Sequence, residues 1–219
     1  MKYYQLQERI ETNLRKKNLS SIISDWINEI REDIGRKLPL KFLLTSKQIT
    51  PIASTYSYAF DKAETTGRYG GFYDNINYDN GTKKISLDYA NSDSFGILYP
   101  VSSVGVPSSY TVRGDRFIID KIPGSISAEK LTASYYALPD KLVEDYDEAY
   151  IDKQYYDAII NLACVKAFIF TGDQPETLSR YQALAGDSVV GMMFNESVYP
   201  VPKEIVLMKF GLLPTSKEE

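Results

Sequence analysis

Apolar residues recur at helical spacing at both ends of this 219-residue chain and alternate at strand spacing between them. A chain whose hydrophobic period switches from helix to strand and back folds as an α+β protein, with helices from the two ends free to share one core. Leu6, Ile10 and Leu14 recur every fourth position, and Ile22, Ile23, Trp26, Ile27, Ile30 and Ile34 follow with a period near 3.6. Residues 1–47 therefore read as a helical hairpin, with Ser20 as an N-cap, Gly35 as a stop and Lys37 to Lys47 as a connector containing Pro39. Trp26 reads as core, its rival role being an interface anchor.

From Gln48 to Leu138 short alternating runs lie between turn residues. Ile76 and Tyr78 precede Asn80-Gly81, and Ile85, Leu87 and Tyr89 follow it, which predicts a hairpin closed by a tight primed turn. Tyr110 and Val112 face Phe117 and Ile119 around Gly114-Asp115, and Leu131, Ala133, Tyr135 and Ala137 form a further strand. Gly67, Gly70 and Gly71 cluster in what reads as a loop. They lack the strand-to-helix setting and the Lys-Ser/Thr that a phosphate cradle needs.

Residues 139–194 return to helix and read as a C-terminal helix pair packing on the N-terminal one. Asp152 is placed to cap a helix running to about Phe170, with Tyr155, Ile159, Leu162, Ala163, Lys166 and Ile169 along it. Asp173, Pro175 and Glu176 mark the start of a second helix carrying Leu178, Tyr181, Ala185 and Val189. Residues 195–219 form an arm with Pro200, Pro202 and Pro214, read as extended apart from room for a helical turn around Glu204 to Lys209.

Composition narrows the chemistry. With no histidine and only Cys164, the chain lacks a Ser-His or Cys-His pair, an internal disulfide and the common zinc ligands. Cys164 reads as an inert core thiol, and a reducing compartment is expected. The polar, periodic start from Met1 to Ile10 is unlike a signal peptide, and no run approaches the roughly 20 apolar residues of a membrane span. A net charge of -4, from 25 basic and 29 acidic residues, predicts no general attraction to nucleic acid or anionic membrane. Residues 1–47 hold a local excess, ten Lys or Arg against six acids, and Arg15-Lys16-Lys17 sits where a helix C-terminus favours cations. The 18 tyrosines suit either strand interiors or surfaces buried by a partner.

The one catalytic candidate is the acidic cluster Glu144, Asp145, Asp147 and Glu148, since paired carboxylates divide acid and base work or bind a divalent cation. The spacing does not fit an EF-hand loop, and acids ahead of a helix are favoured by its dipole, so the cluster reads as structural. No cofactor is expected. The arm is the candidate partner interface, through Tyr199, Val201, Ile205, Leu207, Phe210, Leu212 and Leu213, because so much apolar surface is costly to leave in water.

The stretch from Gly105 onward resembles the C-terminal half of the head-to-tail connector or adaptor proteins of tailed bacteriophages. The pattern is carried by Gly105, Pro107, Tyr110, Pro123, Tyr135, Pro139, Leu142, Asp145, Asp147 and Asp173. It covers about half the chain, and the family's usual Leu-Pro-Asp-Phe element is missing from the middle. The resemblance implies a structural, non-enzymatic virion protein of the head-tail junction, assembled in the host bacterial cytoplasm. It implies a twelvefold ring of copies that docks on the portal protein, meets a tail or neck protein, and passes DNA without reading its sequence. No membrane partner is implied. Two other readings stand beside it: a Tyr-rich β module that binds glycans or a host surface, and a carboxylate-dependent hydrolase.

Overall fold

The computed structural model describes residues 1–15, 19–52, 54–60, 69–98, 103–124, 129–147, 155–172, 175–196 and 202–212. The chain divides into two compact units, Met1–Phe42 with Pro139–Glu219, and Leu43–Leu138. The class is α+β, as the two changes of period predict.

The first unit is helical. It holds α1 (Tyr3–Leu14), α2 (Ser20–Lys37), α4 (Tyr156–Thr171), α5 (Pro175–Glu196) and α6 (Lys203–Lys209). α4 packs against α1, α2 and α5, and this explains why it buries residues on nearly every side, from Ala158 to Phe168. Tyr3, Leu6, Ile10 and Leu14 of α1 and Ile23, Ile27, Ile30 and Ile34 of α2 supply the facing apolar stripes. Several helix boundaries differ from the sequence reading. Ser20 is the first residue of α2 and Leu19 its N-cap, because the Ser20 hydroxyl donates to the Glu11 carboxylate instead of capping its own helix. Gly35 does not stop α2: it is buried, and the helix runs to Lys37, closed by the Leu38 N–H on the Ile34 carbonyl at 2.9 Å. α4 starts at Tyr156 with Tyr155 as N-cap, while Asp152 lies outside the described residues. Pro175 opens α5 as expected, and Asp173 is likewise outside.

The second unit is two four-stranded sheets around one core. The first has the order β1-β8-β3-β4, from β1 (Leu44–Ile49), β3 (Tyr69–Asp79), β4 (Lys84–Ser86) and β8 (Lys130–Ala137). The second has the order β2-β7-β6-β5, from β2 (Ser57–Ala59), β5 (Asp88–Tyr89), β6 (Ser109–Arg113) and β7 (Arg116–Ile119). Phe60, Ile76, Tyr78, Phe117, Ile119, Leu131 and Tyr135 fill the space they share. The β6–β7 hairpin has the expected register, Tyr110 opposite Ile119 and Val112 opposite Phe117, with Gly114 at φ 62° in its turn. Asp120, just beyond β7, is buried yet satisfied: its carboxylate accepts from the N–H groups of Ser108 and Ser109 and from the Ser108 hydroxyl at 2.7 to 3.1 Å.

The first predicted hairpin is redrawn. Asp79 pairs with Lys84, so Asn80 to Lys83 form a four-residue loop in place of a two-residue turn. The Asn80 side-chain oxygen accepts the N–H groups of Thr82 and Lys83, an interaction that a tight turn would forgo. The alternation Ile85, Leu87, Tyr89 does not stay in one strand: the chain leaves β4 after Ser86, and Asp88–Tyr89 joins the other sheet, parallel to β6. Gly70 and Gly71 belong to β3 and not to a loop. The register shifts between Tyr69 and Tyr73, where Gly71 takes φ 104°, mark an irregularity that glycine accommodates. Two elements were not anticipated, β1 inside the presumed connector and α3 (Ser92–Leu98) inside the β region.

Candidate partner interface

The apolar arm folds back onto its own unit. Pro202 caps α6, with its carbonyl accepting the Val206 N–H at 3.3 Å, and Gly211 at φ 65° ends the segment by turning Leu212 inward. The segment is therefore helical over Lys203–Lys209, in the stretch the sequence left open to a helical turn, and not extended there. Val206 and Leu212 are buried, Leu207 and Phe210 half-buried, and Ile205 and Met208 remain 44% and 65% exposed. Of the seven predicted interface residues, Tyr199, Val201 and Leu213 lie outside the described residues.

Leu207 sits on a notch in α5: a Cβ built on Gly186 would lie 3.0 Å from its Cδ2. The Lys209 ammonium donates to the Lys37 carbonyl at 3.2 Å, and the Lys37 ammonium lies 4.8 Å from the centre of the Phe210 ring. Beside Phe210, Gly211 and Leu212 runs a groove of about 170 Å³ whose other walls include Ile30, Leu162, Val165 and Ile169. Its rim carries Asp33, Lys37, Lys166 and Gln182. Lys37 pairs with Asp33 at 2.9 Å, and Lys166 pairs with Glu29.

Ile169 of the groove wall is followed in α4 by Phe170, which packs against Trp26 of α2. Trp26 is half-buried and packs edge-on against Phe170 with centroids 5.8 Å apart; Ile169 and Phe170 are 61% and 63% exposed. A separate exposed patch lies at the start of α1, where Tyr4 meets Tyr146 at 6.1 Å and the Lys2 ammonium lies 5.7 Å from the Tyr146 ring.

The acidic cluster is bound up with a helix end, and the helix is α1. The carbonyls of Asp145 and Asp147 accept the N–H groups of Tyr4 and Tyr3 at 3.2 and 3.0 Å, two of the donors a helix N-terminus leaves open. The Asp147 carboxylate accepts from Val143 and Glu144 N–H at 2.7 and 2.9 Å, and these bonds lower its pKa from the ordinary carboxylate range. Glu148 lies outside the described residues, among which no group of three acids, cysteines or histidines is placed to hold a metal ion.

Two residues of α2 that the sequence did not single out fasten the same stretch of chain. Asn28 bonds both backbone groups of Leu142, and buried Arg31 donates to the Asp140 carbonyl at 2.7 Å. Burial lowers the Arg31 pKa to about 10. The only hint in sequence was a cation on the otherwise apolar side of α2. Cys164 is fully buried and its thiol is pushed up to about 12, as suits an inert core residue. Arg15 ends α1 in the left-handed region at φ 53°, while Lys16 and Lys17 lie outside the described residues.

Among the described residues Tyr3, Tyr58, Tyr78, Tyr110, Tyr135, Tyr136, Tyr155 and Tyr156 are buried. Tyr73, Tyr89 and Tyr110 pack on one another at 5.7 to 6.0 Å, with Tyr89 half exposed at the margin. Among the described residues no helix is long and apolar enough to cross a membrane.

The sequence model of a family described as SU10 adaptor protein matches residues 1–203. No curated protein matches the chain.

Proposed function

The chain belongs to the SU10 adaptor protein family, a family of phage adaptors, and on that premise we propose that it is the structural joint between a DNA-filled head and a tail. Copies assemble as a closed ring beneath the portal protein, with a tail or neck protein below and DNA passing through the centre. The observation that carries this reading is the family match over residues 1–203, which takes in every element from α1 to α5.

The chemistry of the chain is in keeping with it. Of the carboxylates that offered an enzymatic reading, that of Asp147 is tied to backbone amides at 2.7 and 2.9 Å, and the net charge of -4 suits a conduit that must not hold phosphates. The burial of eight tyrosines leaves less aromatic surface for a glycan platform. A closed ring needs heterologous contacts, and exposed Phe170, packed against half-buried Trp26, is surface of the kind such contacts use.

The test is to mix the purified chain with portal rings from its own virion. Sedimentation of the chain alone should give a species near its 24.8 kDa mass, and electron microscopy of the mixture should show a ring stacked on the portal. A two-fold dimer indifferent to portal would end the proposal.

A further inference from the structure

The loop that joins β3 to β4 gathers reactive groups that the adaptor reading does not use. Asn80 is followed by Gly81, so the backbone nitrogen next to the Asn80 amide belongs to the one residue type with no Cβ to shield it. Gly81 is exposed and sits at φ 86°, a conformation that L side chains rarely adopt. Its N–H donates to the Asp79 carboxylate at 2.8 Å. The Asn80 side-chain oxygen accepts from the Thr82 N–H at 3.0 Å, the Thr82 hydroxyl at 2.9 Å and the Lys83 N–H at 2.8 Å. Those are separations at which donors stabilise an oxygen that gains charge during acyl transfer. The Asn80 Nδ2 donates no hydrogen bond among the described residues, so its departure breaks none. A nucleophile with its base, a carbonyl with its donors and an unencumbered leaving group are the parts of an acyl-transfer site.

We propose that Asn80 is a self-modification site, at which the side-chain amide reacts with the Gly81 backbone amide and then with water. The Gly81 nitrogen attacks Asn80 Cγ, and the new C–N bond closes a five-membered succinimide ring. Asp79 takes the proton from that nitrogen, while the charge that builds on Asn80 Oδ1 is met by the three donors. The Cγ–Nδ2 bond then breaks, and Nδ2 leaves as ammonia with the proton that Asp79 held. Nothing is oxidised or reduced. Water next opens the ring at one of its two carbonyls. Cleavage of the bond to Cγ restores the ordinary backbone with an aspartate at position 80, and cleavage of the other N–C bond leaves an isoaspartate, with the chain running through Cγ. Either product adds one negative charge to the chain's -4.

The folded loop carries this reaction, and not the dipeptide alone. In an unfolded chain Asn80 and Gly81 are still neighbours, but Asp79, Thr82 and Lys83 are no longer aimed at them. The native chain should therefore convert faster than the unfolded one.

The test holds the purified full-length chain at neutral pH and physiological temperature, in buffer and in guanidinium chloride, and follows residue 80 by peptide mapping with mass spectrometry. Aspartate and isoaspartate peptides should accumulate at this position, faster in buffer. Asp79→Ala should slow the reaction in buffer about tenfold, less than a buried base supplies because water reaches the loop, and should leave the rate in guanidinium unchanged. Thr82→Val removes the hydroxyl donor and keeps both N–H donors, so it should slow the reaction in buffer by a smaller factor. Circular dichroism checks that each variant is folded, and Thr82→Val, in an exposed position, decides the matter if Asp79→Ala is not. Faster conversion in guanidinium than in buffer would show that the loop shields Asn80 and would overturn the proposal. A rate in buffer indifferent to substitution in folded variants would overturn it too.

Discussion

Asn28 holds the peptide of Leu142 at both ends, accepting its N–H at 2.8 Å and donating to its carbonyl at 3.0 Å. A side-chain amide that replaces two backbone partners at once fixes where the chain returns to the helical unit. Replacing it with alanine leaves both backbone groups of a buried residue without their partner. Asn28→Ala should cost about 2 kcal/mol, read as a lower urea midpoint with an unchanged slope. Wild-type stability in that variant would show that water serves Leu142 equally well.

Asp147 gives an acid-side prediction. Its folded pKa lies below the ordinary value because it accepts two N–H groups, so its contribution is fully present above the unfolded pKa, about 3.9, and is lost as pH falls through the folded one. Asp147→Asn should melt lower than wild type at pH 6. The gap should narrow steadily once the pH drops under about 4. A gap independent of pH would assign the effect to shape and not to charge.

Tyr78 gives the alkaline counterpart. Burial first, and then the neighbouring Glu129, raise its phenol above the ordinary value. A raised folded pKa means stability that is complete below the unfolded value, about 10, and is lost as pH climbs beyond it. Tyr78→Phe should stay within about 1 kcal/mol of wild type at pH 7 and fall less steeply between pH 9 and 11. Equal slopes for the two proteins would count against it.

Gly172 closes α4 with φ 65°, a conformation in which a Cβ is strained although no neighbour crowds it. Gly172→Ala should lower stability by about 1 kcal/mol, and a thermal scan suffices to check it.

Joint neutralisation of Asp145, Asp147 and Glu148 tests the non-enzymatic reading. Particles built with that variant should assemble and join tails nearly as wild type does. Loss of a chemical activity measurable in wild-type particles would favour the hydrolase instead.

The parts of the fold legible in the sequence were those where burial alone decides the pattern. The stripes of α1 and α2 and the Tyr110–Ile119 hairpin needed nothing beyond period and turn chemistry. β1 was hidden because Leu-Thr-Ser-Lys-Gln-Ile is an edge strand with half its surface in water, leaving no apolar run to notice. Leu87 and Tyr89 alternate correctly, yet periodicity does not say which sheet a strand joins. Helix starts were misplaced where side chains found other partners, as Ser20 did with Glu11. For the candidate interface, the apolar content of the arm was visible, but its seat depends on a missing side chain at Gly186, a signal no hydrophobic pattern carries.

The helical unit is built from both ends of the chain, with Leu43–Leu138 lying between its two parts. A ribosome adding about 5–20 residues per second needs roughly 5 to 20 s to make that middle stretch. During this interval the newborn α1 and α2 already display Leu6, Ile10, Ile23 and Ile27, while α4, which will cover them, is not yet synthesised. The β unit has its whole sequence first. Synthesis order therefore gives the nascent chain a waiting period in which the apolar stripes of α1 and α2 lack the helix that will cover them.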